Sequence, residues 1–317
     1  MASERLRKGI VPMKAVTGPL PDEGDESWAY EIKWDGYRAI AHVGLEGVQF
    51  QSSNLLDLTP RWPELGQIGR DVHASSAILD GEVVALAPDG APRFELLQRG
   101  EVPVTYVVFD VLSVDGRSTM RLPYEERRRV LVDLVTPGDH WIVPANHLGG
   151  GQELLQAARD RGLEGVMAKR LGSTYQPGKR SPAWRKVKVR REQELVIGGW
   201  TKGTGTREDT FGSVLLGYYE DDRLHFAGGV GTGFDRKLLE SLLAQFRRLE
   251  SDACPFDPPP PAAVRRTAHW VRPELVCEVA FAEWTFDGIV RQASFLGLRD
   301  DKDPREVIRE PDATGIE

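Results

Sequence analysis

The residues best suited to chemistry lie together near the start of the chain, between Tyr30 and Arg38. Their alternation predicts a strand with Glu31, Lys33 and Asp35 on one face and three apolar residues on the other. An amine would then lie between two carboxylates, and the arginine would follow a bend at the next glycine. An amphipathic strand with solvated charges explains this pattern equally well.

A lysine amine is a nucleophile only when it is neutral, and the ordinary lysine pKa is about 10.4. Nearby cations lower that pKa because they disfavour the charged form. The chain carries a net charge of −7, which by itself argues against a nucleic-acid partner. Its distribution matters more, because seven of the 13 residues in 179–191 are basic and none is acidic. A local basic surface is therefore compatible with an acidic protein.

The elements that must position these residues fall into two groups, and the first group predicts a mixed α/β domain that ends near Val189. Apolar runs rich in Val and Ile predict strands at Ala39 to Val43, Ala77 to Leu79, Val83 to Leu86 and Val104 to Leu112. Leucine spacing predicts helices at Tyr124 to Leu134 and Gly151 to Arg161.

The second group predicts a small β-barrel of the OB type with one helix. Strands are predicted at Glu194 to Trp200, Ser213 to Tyr219, Leu224 to Val230, Val276 to Ala282 and Gly288 to Phe295. The second and third form a hairpin, and Asp235 to Glu250 is predicted to be a helix. The fold class is α+β, with domains at residues 1–189 and 190–317.

Composition excludes several classes of protein. The 317 residues are 40% apolar and 28% charged, which is typical of two globular domains. No apolar run approaches the roughly 20 residues of a membrane span, and the N-terminus does not resemble a secretory signal. The cysteines, Cys254 and Cys277, cannot form a disulfide framework. We expect no membrane partner and a cytoplasmic location in the bacterial nucleoid.

Six short motifs give the chain a resemblance to the covalent nucleotidyltransferases, and specifically to ATP-dependent DNA ligases. Its likeness is strongest to the ligase domain of bacterial multifunctional end-joining ligases. The motifs occur in the family's order. A single match would be weak evidence for the family, whereas six matches in order are strong evidence. They are Lys33-x-Asp35-Gly36-x-Arg38, Leu79-Asp80-Gly81-Glu82, Phe109 at a strand end, Glu164-Gly165-x-x-x-Lys169, Trp184-x-Lys186-x-Lys188, and Arg291 with Gly297-Leu298-Arg299-Asp300-Asp301-Lys302.

The resemblance implies that Lys33 attacks the α-phosphate of ATP and becomes a lysyl-AMP phosphoramidate. The AMP then passes to a DNA 5′-phosphate, and a 3′-hydroxyl displaces it. Lys169, Lys186, Lys188 and a bound Mg²⁺ would surround the amine with positive charge and lower its pKa. The cofactors are ATP and Mg²⁺ or Mn²⁺.

The remaining roles are also implied by the resemblance. Without it, the same residues could equally be turn residues, solvated surface charges or core side chains. Asp35 and Glu164 would bind the metal. Nucleotide contacts would come from Glu31 at the adenine amine, Glu82 at the ribose, Phe109 and Met167 on the two faces of adenine, and Arg38 and Arg180 near the nucleotide or the 5′-phosphate. On the mobile barrel domain, Arg291, Arg299 and Lys302 would orient pyrophosphate.

The chain departs from the family at one position, because these ligases usually carry Ser-Arg-Asn where this chain has Ser52-Ser53-Asn54. Loss of that arginine removes a charge-assisted hydrogen bond worth about 1.5–3 kcal/mol. Either activity is low, or another arginine compensates.

Two other functions fit parts of the pattern. RNA ligases and mRNA-capping guanylyltransferases share the Lys-x-Asp-Gly motif, and a decayed transferase could simply bind DNA or protein. The later motifs favour a DNA ligase that acts on nicked or broken duplexes as a monomer. We expect the chain to need a Ku-type end-binding protein, because it has no room for a large helical DNA-binding domain and a small clamp makes few phosphate contacts.

Overall fold

A computed structural model describes residues 9–21, 24–100, 102–189 and 191–310. The described residues up to 189 form one compact unit, and residues 191–310 form a second. Each unit is treated separately below. Among the described helices, none is long and apolar enough to cross a membrane.

The first unit alternates strands with three α-helices among its described residues. Its elements are β1 Lys14–Thr17, β2 Trp28–Ile32, β3 Tyr37–Gly44, β4 Gly47–Ser52, β5 Ala77–Ala85, α1 Phe94–Arg99, β6 Val104–Val114, β7 Arg117–Ser118, α2 Tyr124–Leu134, β8 Trp141–Ile142, β9 His147–Leu148, α3 Gly151–Asp160, β10 Gly165–Arg170 and β11 Arg180–Lys188.

These strands make two sheets. One has the order β1-β11-β10-β2-β9, and the other has the order β4-β3-β5-β6-β7, with β8 beside β6. A core cluster that includes Ile40 and Phe109 from the second sheet and Trp184 from the first lies between them. The face of the first sheet that carries Tyr30 packs against Leu155 of α3. The predicted apolar face of the lysine-bearing strand is therefore confirmed at Tyr30.

Strand β5 joins two runs that the sequence predicts as separate strands. The polar residues Asp80 and Glu82 interrupt its apolar pattern, but the strand continues through them. A side chain at Gly81 would overlap the ring of Tyr106 and the carbonyl of Val107, so only glycine lets β5 lie this close to β6. The register between these strands shifts at Asp80 and Gly81.

The second unit is rich in β-strands and has one long helix among its described residues. Its elements are β12 Glu192–Lys202, β13 Phe211–Glu220, β14 Arg223–Val230, α4 Arg236–Arg248, β15 Glu250–Ser251, α5 Ala262–Arg265, β16 Ala268–Ala280, β17 Glu283–Trp284, β18 Val290–Arg291 and β19 Ser294–Leu298. Its main sheet has the order β14-β13-β12-β16-β15, and β19 pairs with β16.

Two predictions for this unit have opposite outcomes. The hairpin of β13 and β14 is confirmed, and its turn residues Asp221 and Asp222 have φ of 48° and 60°, which suits a tight hairpin turn. The single strand predicted from Gly288 to Phe295 is wrong. Positive φ values at Gly288 and Gln292, 73° and 52°, break it into the short strand β18 and the start of β19.

Helix α4 shows why its sequence begins and ends where it does. Asp235 caps its first turn, because the side chain accepts a 2.8 Å hydrogen bond from the backbone N–H of Leu238. Its apolar face, which includes Leu242 and Phe246, is buried in the core of the second unit.

Candidate active site

Lys33 lies directly after β2, where two contacts fix it. Its backbone N–H donates a 2.9 Å hydrogen bond to the carbonyl of Gly165. Its amine forms an ion pair with the carboxylate of Glu164, the residue before β10. The Lys33 side chain is 19% exposed, and that of Glu164 is 5% exposed. The ion pair is therefore largely buried, and the Lys33 side chain keeps a small exposed fraction.

Three neighbouring strands present their predicted site residues on one face. Glu31 of β2 lies opposite Met167 of β10, which in turn lies opposite Lys186 of β11. Lys169 pairs with Trp184 in the same way. Because directly opposed residues point to the same side of a sheet, one surface carries the acid, the thioether and the lysines. Lys33 continues this face two residues beyond Glu31.

Close backbone packing shapes the turn after Lys33. A Cβ atom at Gly36 would overlap the carbonyl oxygen of Val83, so this position requires glycine. Gly165 is similarly restricted by the carbonyl of Val187. Asp35 is half-buried, and its charge is one of the factors that raise the pKa of Lys33.

The protein groups around Lys33 raise its pKa, whereas the prediction, which includes the charge of a bound Mg²⁺, is that the pKa is lowered. Burial lowers the pKa of the amine, and Lys188 lowers it further, as predicted for a cationic neighbour. The carboxylates of Glu164, chiefly, and of Asp35 favour the charged form, and the net shift is upward. The resting amine is therefore protonated, and it must lose its proton before it can act as a nucleophile.

Glu31 is 2% exposed and binds two donors. The Lys169 amine lies 2.7 Å from its Oε2, and the Tyr124 hydroxyl donates to its Oε1. The same amine lies 4.3 Å from the centre of the Phe109 ring. Burial, chiefly, lowers the pKa of Lys169. In the described site, Lys169 is thus engaged with Glu31.

Arg38 is held by a buried carboxylate that sequence reasoning had not singled out. Its Nε and Nη2 donate to the two oxygens of Asp80 at 2.6 and 2.7 Å. Asp80 also accepts a 2.6 Å hydrogen bond from the hydroxyl of Tyr175. The guanidinium carbon lies 4.7 Å from the centre of the Phe109 ring. Phe109 itself belongs to the core between the sheets, with Met167 packed beside it.

The other predicted residues of the first unit occupy different settings. Glu82 lies beside Arg38 across the β3–β5 ladder and is half-buried. Lys188 is buried, whereas Lys186 is half-buried. Arg180 is exposed, and its Nη1 donates a 2.8 Å hydrogen bond to the carbonyl of Ala15.

The predicted cations of the second unit are all paired with acids. Arg299 is buried, and its Nε and Nη2 donate to the two oxygens of Asp301 at 2.9 Å each. Its Nη1 donates to Glu278 at 2.8 Å. Lys302 lies 3.0 Å from Glu194. Arg291 pairs with Glu283 at 2.9 Å on the surface.

Sequence reasoning also missed residues that support the site from behind. Tyr124 binds Glu31, Asp80 and Tyr175 hold Arg38, and Asp110 pairs with Arg127. Of these, Asp80 was readable because it stands in the Asp-Gly-Glu motif. Tyr175 is 95 residues from Asp80 in the sequence, and no local sequence pattern indicates the hydrogen bond between them.

A two-sheet unit that presents a lysine and further cations on one sheet face, followed by an OB-like region, is the fold of a covalent nucleotidyltransferase. The chain belongs to the ATP-dependent DNA ligase family. The family model described as ATP dependent DNA ligase domain matches residues 11–188, and that described as ATP dependent DNA ligase C terminal region matches residues 207–302. The predicted fold class is confirmed.

Relatives and solved structures agree with this assignment. The chain is 40% identical over 303 residues to the multifunctional non-homologous end joining protein LigD of Mycolicibacterium smegmatis, covering 95% of this chain and 40% of that protein. It is 38% identical over 312 residues to LigD of Pseudomonas aeruginosa, covering 95% and 36%. The chain therefore spans about two fifths of the length of these relatives.

Among solved structures, mycobacterial DNA ligase D complexed with ATP and MES is similar, with a TM-score of 0.68 and 36% identity. That match covers 95% of this chain and 98% of the other. The ligase domain of Mycobacterium tuberculosis LigD has a TM-score of 0.53 and 37% identity over the same shares.

Proposed function

We propose that this chain joins DNA ends, with Lys33 as the residue that carries AMP. The observation behind the proposal is the position of the Lys33 side chain, which is partly exposed, fixed by Glu164, and on one sheet face with Glu31, Met167 and the lysines of β11. Family membership supplies the reaction class, and this geometry supports Lys33 as the nucleophile.

Each step exchanges one bond for another. The Lys33 nitrogen forms a bond to the α-phosphorus of ATP as the bond to pyrophosphate breaks. A 5′-phosphate oxygen of DNA then bonds to that phosphorus as the P–N bond breaks and the amine is restored. Finally the 3′-hydroxyl oxygen bonds to the DNA phosphorus, loses its proton, and AMP leaves.

The side chains around Lys33 fit the parts of the nucleotide. We assign adenine to the space beside Phe109 and Met167, with Glu31 at its amino edge. Glu82 would accept a hydrogen bond from the ribose. Arg38 and Arg180 would lie near the nucleotide or the DNA 5′-phosphate, and Lys186 and Lys188 would face phosphate groups. Lys169, which stays paired with Glu31, would add positive charge to the site without a direct phosphate contact.

Proton loss from Lys33 follows from its electrostatic surroundings. Glu164 is the group that contributes most to raising the pKa of the amine, and Asp35 adds a smaller contribution, while burial and Lys188 lower it. Any partner that draws the Glu164 carboxylate away lowers the pKa of Lys33, because only Asp35 then opposes burial and Lys188. The neutral amine can then attack.

Asp35 and Glu164 fit a divalent cation, either Mg²⁺ or Mn²⁺. The Oε2 of Glu164 is buried and has no hydrogen-bond partner among the described residues. Carboxylate oxygens are the ligands that hard cations prefer. When bound, such an ion would stabilise negative charge on the triphosphate.

In the second unit, we assign Arg291, Arg299 and Lys302 to orientation of the leaving pyrophosphate. Their present acidic partners would have to exchange for phosphate oxygens. Of the three, Arg299 would have to leave the most buried set of partners, Glu278 and Asp301.

We also propose that the substrate is a nicked or broken duplex in the bacterial nucleoid and that an end-binding protein of the Ku type assists. The LigD relatives are named for non-homologous end joining, and a small clamp with few phosphate contacts would bind DNA weakly at physiological salt. Efficient sealing of double-strand breaks by the purified chain alone at physiological salt would contradict the need for a helper.

The test is incubation with labelled ATP or GTP, Mg²⁺ or Mn²⁺, and a nicked duplex. We expect a covalent adduct from ATP and a sealed product. The Lys33→Ala variant should give neither, whereas Lys237→Ala, at an exposed position of α4, should behave as wild type. Labelling by GTP instead of ATP would overturn the proposal.

A further inference from the structure

The carboxylate of Glu31 is locked on both of its oxygens. Tyr124, fully buried at the start of α2, donates its hydroxyl to Oε1. Lys169, buried on β10, donates to Oε2 at 2.7 Å. These two donors come from different elements and converge on a group that is itself buried. The arrangement fixes both the position and the hydrogen-bonding character of Glu31.

Tyr124 can act only as a donor here. Burial, followed by the adjacent Glu31 charge, raises the pKa of the phenol well above its ordinary value, so the hydroxyl keeps its proton. An ionised carboxylate has no proton of its own, and about four lone-pair sites. With one site on each oxygen taken by a donor, Glu31 still offers acceptor sites and offers no donor. A ligand that meets it must bring a hydrogen.

The position of Glu31 matches that of a base reader. It lies two residues before Lys33 on the same face of an extended chain, about 6–7 Å away along the strand. It is directly opposite Met167, which packs against the core cluster that contains Phe109. A purine between these apolar side chains, with its phosphate at Lys33, would turn the edge of its six-membered ring toward Glu31.

We propose that Tyr124 is a positioning residue that, with Lys169, holds Glu31 as a pure acceptor and so selects purines that carry a 6-amino group. Adenine brings N–H donors at that position. Guanine would bring a carbonyl oxygen against a carboxylate, and the 6-unsubstituted purine would bring no donor. This inference rests on the proposed function, because it concerns the nucleotide that reacts with Lys33.

The test compares adduct formation from ATP and from purine riboside triphosphate, which lacks only the 6-amino group. For wild type we expect a preference for ATP in kcat/KM of about tenfold or more, the range for a hydrogen bond to a charged group. For Tyr124→Phe we expect a higher KM for ATP and a preference reduced by about tenfold. kcat at saturating ATP should change much less.

Tyr106→Phe is the matched control. Tyr106 is also fully buried, and its hydroxyl donates to the carbonyl of Ala39 at 3.0 Å, away from Glu31. We expect the control to lose stability and to keep the wild-type preference. If Tyr124→Phe keeps the wild-type preference for ATP over the purine analogue, the inference is overturned and the role of Tyr124 is structural only.

Wild-type protein alone gives a second test that does not depend on the folding of a variant. N6,N6-dimethyl-ATP has no 6-amino hydrogen and should react as poorly as the unsubstituted purine. Equal reaction of either analogue and ATP would refute the inference. Absence of an adduct from every nucleotide would instead refute the proposed function.

Discussion

The buried ion pair of Asp110 and Arg127 makes a sharp prediction about stability behind the nucleotide site. Both side chains are fully buried, and two bonds of 2.8 Å join the guanidinium to the two carboxylate oxygens. Arg127 also donates to the carbonyls of Leu122 and Ser173 at 2.8 and 2.9 Å. The pair therefore ties α2 to β6, directly after Phe109.

Removal of one partner leaves an uncompensated buried charge. We expect Asp110→Leu to reduce the free energy of unfolding of the first unit by about 3–5 kcal/mol. Arg127→Met should reduce the free energy of unfolding by at least as much, because it also removes the hydrogen bonds to the carbonyls of Leu122 and Ser173. The double variant carries neither charge, so its loss should be about 1–3 kcal/mol, from the two carbonyls and from the backbone N–H of Val111, which also donates to Asp110 at 2.9 Å.

The assay is urea denaturation, with hydrogen exchange of peptides from α2 and β6 to assign the transition to the first unit. Arg129→Met, which removes an exposed ion pair of the same helix with Glu125, is the control and should change little. The reasoning is refuted if each single variant loses less than about 1 kcal/mol, or if the double variant loses the sum of the two.

Two further predictions concern pH. Glu164→Gln removes the main charge that raises the pKa of Lys33. The acid limb of the pH–rate profile of adduct formation should therefore shift to lower pH, even if the plateau rate falls. An acid limb at the wild-type pH would contradict this reasoning. In the second unit, burial alone would raise the pKa of Asp301, but Arg299 lowers it below 3.8. The stability contributed by this pair is therefore present above about pH 4 and lost as pH falls below it. In Asp301→Asn, acid titration followed by hydrogen exchange should show that the pair no longer contributes to the stability of the second unit. An acid unfolding transition unchanged from wild type would contradict this prediction.

Local patterns predicted most of the elements that carry the site. Helix α2 begins and ends as leucine spacing predicts, because its apolar side packs on β6. The strand before Lys33 could be predicted because its residues alternate between a face in the core and a face in the site. By contrast, β5 was divided in the prediction, since Asp80 and Glu82 look like a break when only the sequence is considered.

Contacts between distant positions could not be predicted in this way. The triad of Glu31, Tyr124 and Lys169 joins residues 93 and 138 positions apart, and only the pairing of β2 with β10 and the packing of α2 bring them together. The pKa of Lys33 among the protein groups alone differs from the prediction for a related reason. Its cationic neighbours were visible in the motifs, but the placement of Glu164 against the amine depends on the tertiary fold.

The central claim is that the amine at position 33 becomes covalently bonded to AMP. Peptide mass spectrometry after incubation with ATP and a divalent cation tests it most directly. The account predicts an adenylate on the peptide that contains Lys33 and its loss when nicked DNA is added. An adenylate on a different lysine, or an unmodified Lys33 in protein that nevertheless seals DNA, would contradict it.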